Sequence, residues 1–191
     1  MSLPNHPAPT DTNSRTLHLS SEFCVSCGSI TFSPSTQKLL LIRCRKRDEV
    51  FLPKGRKDTD ESLQAAAMRE TYEETGYRIT LLPVKSNTCA TSPAADPDRA
   101  KRENVEPIAM TQRYDGVGIL KVIFWFVGQG NSSDEPDLGT QQEWEDFEAL
   151  WMDYEDVVTA LTWEDDKKVA RKAIELFKAS PTGAASLSQS L

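Results

Sequence analysis

Residues 55–77 read GRKDTDESLQAAAMRETYEETGY, and the change of pattern inside this stretch decides how the rest of the chain is parsed. Its first residues are polar and led by glycine, which marks a loop, and Gly55 can take backbone angles closed to other residues. From Glu61 to Thr75 the residues Leu63, Ala66, Ala67 and Thr71 fall at helical intervals. The spacing predicts a helix capped by Asp60 or Thr59 and ended by Gly76. On it Glu70 and Glu74 stand one turn apart with Glu73 beside them, so three carboxylates can converge on one face. Arg69, four residues before Glu73, can pair with it and offset part of the repulsion. Spacing alone leaves two meanings open, a solvated charged face or a site for cations.

Working outward, FCVSCGSITF (23–32) and KLLLIRCRKR (38–47) are strand candidates joined by the turn PSTQ, most simply as a hairpin. The short apolar piece VFLP leads into the loop KGRKDTD. Beyond the helix, RITLLPV (78–84) reads as a strand, and GILKVIFWFVGQ (118–129) is the strongest strand candidate of all. Residues 86–113 are rich in Pro, Asp, Arg, Lys and Glu and read as a long irregular insertion or lid. NSSDEPDLGTQQEWED is a further loop, FEALWMDY a short strand, and WEDDKKVARKAIELFKA an amphipathic helix. Strands, an early helix, more strands and a late helix favour a mixed sheet with helices on its faces. Residues 1–20 and 180–191 have the composition of a flexible arm and tail around a domain spanning 21–179.

Composition narrows the function classes. The net charge of −7 argues against general nucleic-acid binding, which needs a basic face. No apolar run approaches the roughly 20 residues needed to cross a bilayer, and the first residues lack a secretory pattern. A soluble protein is expected, cytoplasmic and compatible with the nucleus, with no membrane partner. Cys24 and Cys27 form a CxxC spacing, but no second pair or nearby histidine completes a zinc site, and their odd separation on a strand sends them to opposite faces.

The 23-residue segment also fits GX5EX7REUXEEXGU at every fixed position: Gly55, Glu61, Arg69, Glu70, Glu73, Glu74 and Gly76. On those residues the chain resembles the Nudix hydrolases, departing only at the usually aliphatic positions held by Thr71 and Tyr77. The resemblance implies an α/β fold, an α/β/α sandwich with a mixed β-sheet. It also implies an enzyme cleaving a pyrophosphate bond in a nucleoside diphosphate linked to another moiety, or in a related compound. Mg²⁺ or Mn²⁺ would be the cofactor, held by Glu70, Glu73, Glu74 and the Lys54 carbonyl, with Glu61 and Arg69 organising them. Such chemistry suits hard cations, because a pyrophosphate repels nucleophiles until its charge is neutralised and water is activated. In many similar enzymes a glutamate before a late tryptophan-bearing strand assists. Glu145, six residues before Trp151, is in register for that role, while Glu143 and Glu148 compete and Glu73 or Glu74 can serve as base instead.

The substrate is addressed by the basic residues. Arg43, Arg45, Lys46 and Arg47 close one strand and Lys54, Arg56 and Lys57 flank Gly55, which favours a small molecule with several phosphates. Alternation lets Arg43, Arg45 and Arg47 share a sheet face; a charged edge strand explains them equally well. Pro53, Lys54 and Gly55 are similar to the phrase entering the box in dinucleoside polyphosphate hydrolases and some diphosphoinositol polyphosphate phosphohydrolases, although the Gly-Gly pair of the latter is replaced at Lys54. A Nudix-fold binding module and an RNA-decapping hydrolase are the competing functions. Among aromatic residues, Trp144 in its polar loop is the candidate for gripping a base, whereas Phe124 and Phe126 alternate as core residues do.

Overall fold

The stretch GILKVIFWFVGQ forms the centre of the sheet in the computed structural model, which describes residues 15–188. Strand β7 (Leu120–Gln129) runs parallel to β1 (Phe23–Ser33), with Phe23 opposite Leu120 and Phe32 opposite Gln129. Its alternation divides the core. Ile123, Trp125 and Val127 point into the larger apolar cluster with Ile30 and Phe32, while Phe124 and Phe126 join Cys27 beneath the first helix.

Around this pair lie β2 (Lys38–Cys44), β3 (Glu49–Phe51), β4 (Lys54–Arg56), β5 (Thr80–Leu81), β6 (Ala109–Tyr114) and β8 (Phe147–Asp153). The order is β3-β2-β1-β7-β5, with β4 added to β1, β6 to β7 and β8 to β2. Every pairing except β1 with β7 is antiparallel, so the sheet is mixed. Helix α1 (Leu63–Thr75) covers one face through Ala66 and Ala67. On the other, α2 (Tyr154–Ala160) and α3 (Glu164–Lys178) bury Val157, Val169, Ala173 and Phe177 against Phe32 and Leu39. Phe177 stacks on Phe32 with ring centroids 4.2 Å apart. Burial of a valine, leucine or phenylalanine in this layer stabilises by about 1.5–3 kcal/mol.

Several elements differ from expectation for reasons of pairing. Lys54–Arg56 is a strand rather than a loop, because Cys27 and Gly55 stand opposite each other and the glycine at 28 lets Pro53 and Trp125 approach. The end of the expected irregular insertion, Ala109–Tyr114, is strand β6 along β7, anchored by Trp125 Nε1 donating to Thr111 Oγ1 at 3.0 Å. RITLLPV contributes only two strand residues, with Pro83 following and Val84 bridging to Asn104. Pro181–Ser188 is a helix, α4, where a loose tail was expected; Ser180 is buried and its Oγ accepts from the Gly183 amide at 3.1 Å. Residues 1–14 of the expected arm lie outside the described residues. Cys24 and Cys27 are both free thiols, as opposite-facing residues on one strand must be.

The motif departure at Thr71 has a local cause. Its hydroxyl meets Ser29 Oγ at 2.6 Å, Ser29 Oγ meets Thr31 Oγ1 at 2.8 Å, and Thr71 Oγ1 also donates to the Ala67 carbonyl. A buried hydroxyl chain thus replaces an aliphatic contact between α1 and β1, every member satisfied. Tyr77, the second departure, packs edge-on against Trp151 at 5.4 Å.

Candidate active site

Helix α1 begins two residues later than a cap at Asp60 would place it. Ser62, not Asp60 or Thr59, is the N-cap and accepts from the Ala65 amide at 3.1 Å, while Asp60 occupies the left-handed region at φ 60°. Gly76 ends the helix at φ 76°, as expected. Between these ends Glu70 packs against Gly55 and Glu74 reaches the Lys54 amide, both on β4, while Glu73 turns to Arg69.

Arg69 organises the face. Its Nε donates to Glu61 Oε1 at 2.9 Å, Nη1 to Glu70 Oε1 at 2.7 Å and Glu73 Oε2 at 3.0 Å, and Nη2 to Glu61 Oε2 and the Arg56 carbonyl at 2.9 and 2.8 Å. All the N–H donors of a guanidinium are therefore used. These bonds hold Glu61 below the usual carboxylate range and raise Arg69 further. Glu70 is moved the other way, because burial outweighs its bond to Arg69.

The glycine at 55 has a different purpose from the one its residue type suggests. Its φ is not positive; an added Cβ would lie 1.7 Å from Glu70 Oε2. The missing side chain is the space into which the Glu70 carboxylate fits. Glu74 is 4% exposed and accepts from the Lys54 amide at 2.7 Å. Burial pushes it up to about 8, against the opposing pull of Lys54 and with Glu145 and Glu70 adding repulsion.

The expected convergence of three carboxylates is replaced by partition. Arg69 takes Glu70 and Glu73, the Lys54 amide takes Glu74, and among the described residues no three acidic, histidine or cysteine side chains form a closed cation site. The donor set still fits a hard divalent cation. It consists of carboxylate oxygens on adjacent turns, with Glu70 and Glu74 buried and the Glu70 carboxylate seated in the space left by Gly55.

The NUDIX domain family model matches residues 23–173. The chain belongs to the Nudix family. Nudix structures share its fold at low identity. A C. elegans Ap4A hydrolase in a binary complex is 17% identical with TM-score 0.54, covering 81% of this chain and 99% of that one. A Nudix-family hydrolase from Clostridium perfringens matches with the same identity and TM-score over 81% and 97%. A MutT protein from Methanosarcina mazei Go1 is 16% identical at TM-score 0.54 over 83% and 97%.

As a Nudix hydrolase the protein is an enzyme acting on phosphoric anhydrides, and the remaining predicted residues can be located on that frame. Glu145 is half-buried, and its charge reaches both Glu70 and Glu74, raising each. Of its competitors, Glu143 is exposed and Glu148 lies 3.8 Å from Arg45. The basic run does not form one row. β2 ends at Cys44, so Arg45 and Arg47 fall in a turn; Arg43 pairs with Asp48, Arg45 with Asp146 at 3.5 Å, and Arg47 with Glu49 at 2.7 Å. Arg56 is exposed, and its carbonyl serves Arg69. Trp144 is 72% exposed in its loop.

One cavity of about 310 Å³ adjoins the Nudix helix through Lys54. Arg47, Lys54 and Arg113 line it together with Trp163, Asp165 and Asp166. The Lys54 ammonium lies 5.0 Å from the Phe51 ring centroid, and its charge acts on both Glu74 and Asp166. The last four of these lining residues carry no motif. Their only sequence signal is the polar start of α3, and Arg113 was hidden in the presumed insertion.

Proposed function

We propose that this Nudix enzyme hydrolyses a pyrophosphate bond in a nucleoside polyphosphate, dinucleoside polyphosphate or diphosphoinositol polyphosphate, with Mg²⁺ or Mn²⁺. The observation that carries the reading is the placement of Lys54. Its amide holds Glu74 on the Nudix helix, and its side chain lines a cavity shared with Arg47 and Arg113. A phosphate chain lying from that cavity toward α1 would meet the Lys54 ammonium and the Arg47 and Arg113 guanidinium groups, set among Glu49, Asp165 and Asp166, before the glutamates of the helix.

Glu70, Glu73, Glu74 and the Lys54 carbonyl would hold the metal. When bound, it supplies neutralisation of the phosphate oxygens and acidifies water. The protein's own groups do the rest. Arg69 fixes the rotamers of Glu70 and Glu73, Arg47, Lys54 and Arg113 bind the phosphate chain, and Glu145 takes the proton from the attacking water. That water's oxygen bonds to phosphorus as the bridging oxygen leaves with the departing phosphate. Arg43, Arg45 and Arg56 lie outside this cavity and serve the substrate only as peripheral positive charge. The partner is a small phosphorylated molecule; among the described residues no helix is long and apolar enough to cross a membrane.

A hydrolysis panel tests the proposal. It contains diadenosine tetraphosphate, a diphosphoinositol polyphosphate, ADP-ribose, oxidised dGTP and capped RNA, each with Mg²⁺ and with Mn²⁺. Turnover of a member with several linked phosphates is expected, and product identity locates the cleaved bond. Ligand stabilisation without any product would instead indicate a binding module, and release of a cap nucleotide would indicate decapping.

A further inference from the structure

The loop between β7 and β8 is tied to the Nudix helix at the two glutamates that matter most. A helix leaves its last carbonyls without internal partners. Here Thr140 Oγ1 donates to the Glu73 carbonyl at 2.9 Å and Gln141 Nε2 to the Glu74 carbonyl at 3.1 Å. The Gly76 carbonyl accepts from the Asp137 amide at 3.0 Å, and a Cβ at Gly76 would stand 2.4 Å from the Asp137 carbonyl. The glycine that ends the motif is thus also the seat on which this loop rests.

Gln141 does more than cap. Its amide also donates to the Phe147 carbonyl at 2.9 Å and accepts from the Phe147 amide at 3.0 Å, reproducing a strand partner at the start of β8. One side chain therefore joins the end of α1 to both sides of the loop. Enclosed between Gln141 and Phe147 is a tight turn in which the Glu145 amide donates to the Gln142 carbonyl at 2.9 Å and Glu145 Oε2 accepts from the Gln142 amide at 3.1 Å.

We propose that Gln141 is a positioning residue that sets the distance of Glu145 from the Nudix-helix glutamates. This rests on the assignment of Glu145 as the base. A base displaced by an ångström loses much of its rate contribution, whereas substrate binding on the far side, at Lys54 and Arg113, is untouched.

A double-mutant cycle with Mg²⁺ and the panel substrate turned over fastest tests it, using kcat, KM and hydrogen exchange. Glu145→Gln is expected to lower kcat by about 100-fold or more. Gln141→Ala should lower kcat about tenfold with KM changed less than about twofold, speed amide exchange in residues 140–147, and add less than about twofold in the Glu145→Gln background. A Glu145→Gln enzyme slowed about 100-fold in which the Gln141→Ala loss multiplies in full overturns the proposal while leaving the base in place. A fully active Glu145→Gln enzyme overturns the base assignment and the proposal with it. Should Gln141→Ala not fold, Gln141→Glu takes its place in the cycle, keeping the acceptor for the Phe147 amide and losing both donations.

Discussion

Arg69 and Gly55 show how single residues fix the chemistry of this face. The guanidinium spends each N–H on a different acceptor atom, on Glu61, Glu70, Glu73 and the Arg56 carbonyl. A lysine carries the same charge on a compact ammonium and cannot reproduce that fork. Arg69→Lys is expected to lower kcat about 10- to 100-fold and to cost about 1–3 kcal/mol in chemical denaturation, the smaller cost reflecting its partial exposure. Gly55→Ala tests space instead of charge. Its methyl group would occupy the position of the Glu70 carboxylate, so kcat should fall about 100-fold while circular dichroism stays native.

At the scale of elements, the C-terminus of α1 is where a helix, a loop and a strand are joined. Gly76→Ala meets both a left-handed φ of 76° and the Asp137 carbonyl, so it should destabilise by about 1–3 kcal/mol, seen as a lower thermal midpoint. The existence of α1, its end at Gly76 and the central strands were legible in the sequence, because periodicity and a glycine stop are local signals. Strands β4 and β6 were not. KGR and AMTQRY are polar, and each is a strand only because β1 or β7 offers it a free edge. The same logic governs the site: the seven motif residues were readable, but the acids that pair with Arg45 lie about a hundred positions away. Gln141 left no signal at all, since its role depends on where three separate backbones meet.

For the whole molecule, placing helices on both sheet faces sets Asp166 between the core and the cavity. Asp166 is 5% exposed and takes only a long 3.5 Å bond from the Leu52 amide. Burial and the neighbouring Asp165 push it from 3.8 up to about 6. A raised carboxyl means that the folded state binds more protons than the unfolded chain between those values, so this group's contribution falls as pH rises from about 4 to 6. Asp166→Asn, which keeps an acceptor and removes the charge, should therefore be more stable than wild type at pH 7 by on the order of 2 kcal/mol, with the gain fading below pH 4. Thermal unfolding across pH 4–7 measures it. The cavity is mixed in charge, with Arg47, Lys54 and Arg113 set among Glu49, Asp165 and Asp166, so an anionic ligand there has to be met by Lys54 and Arg113 while Arg47 is held by Glu49 at 2.7 Å.

That helix carries the central claim, which hydrolysis by Glu74→Gln tests most directly. The change keeps the shape of a buried side chain and an acceptor for the Lys54 amide, so the protein should fold. With saturating Mg²⁺ and the fastest panel substrate, the account predicts product release reduced by at least about 100-fold relative to wild type. A folded Glu74→Gln protein that releases product at the wild-type rate would contradict it.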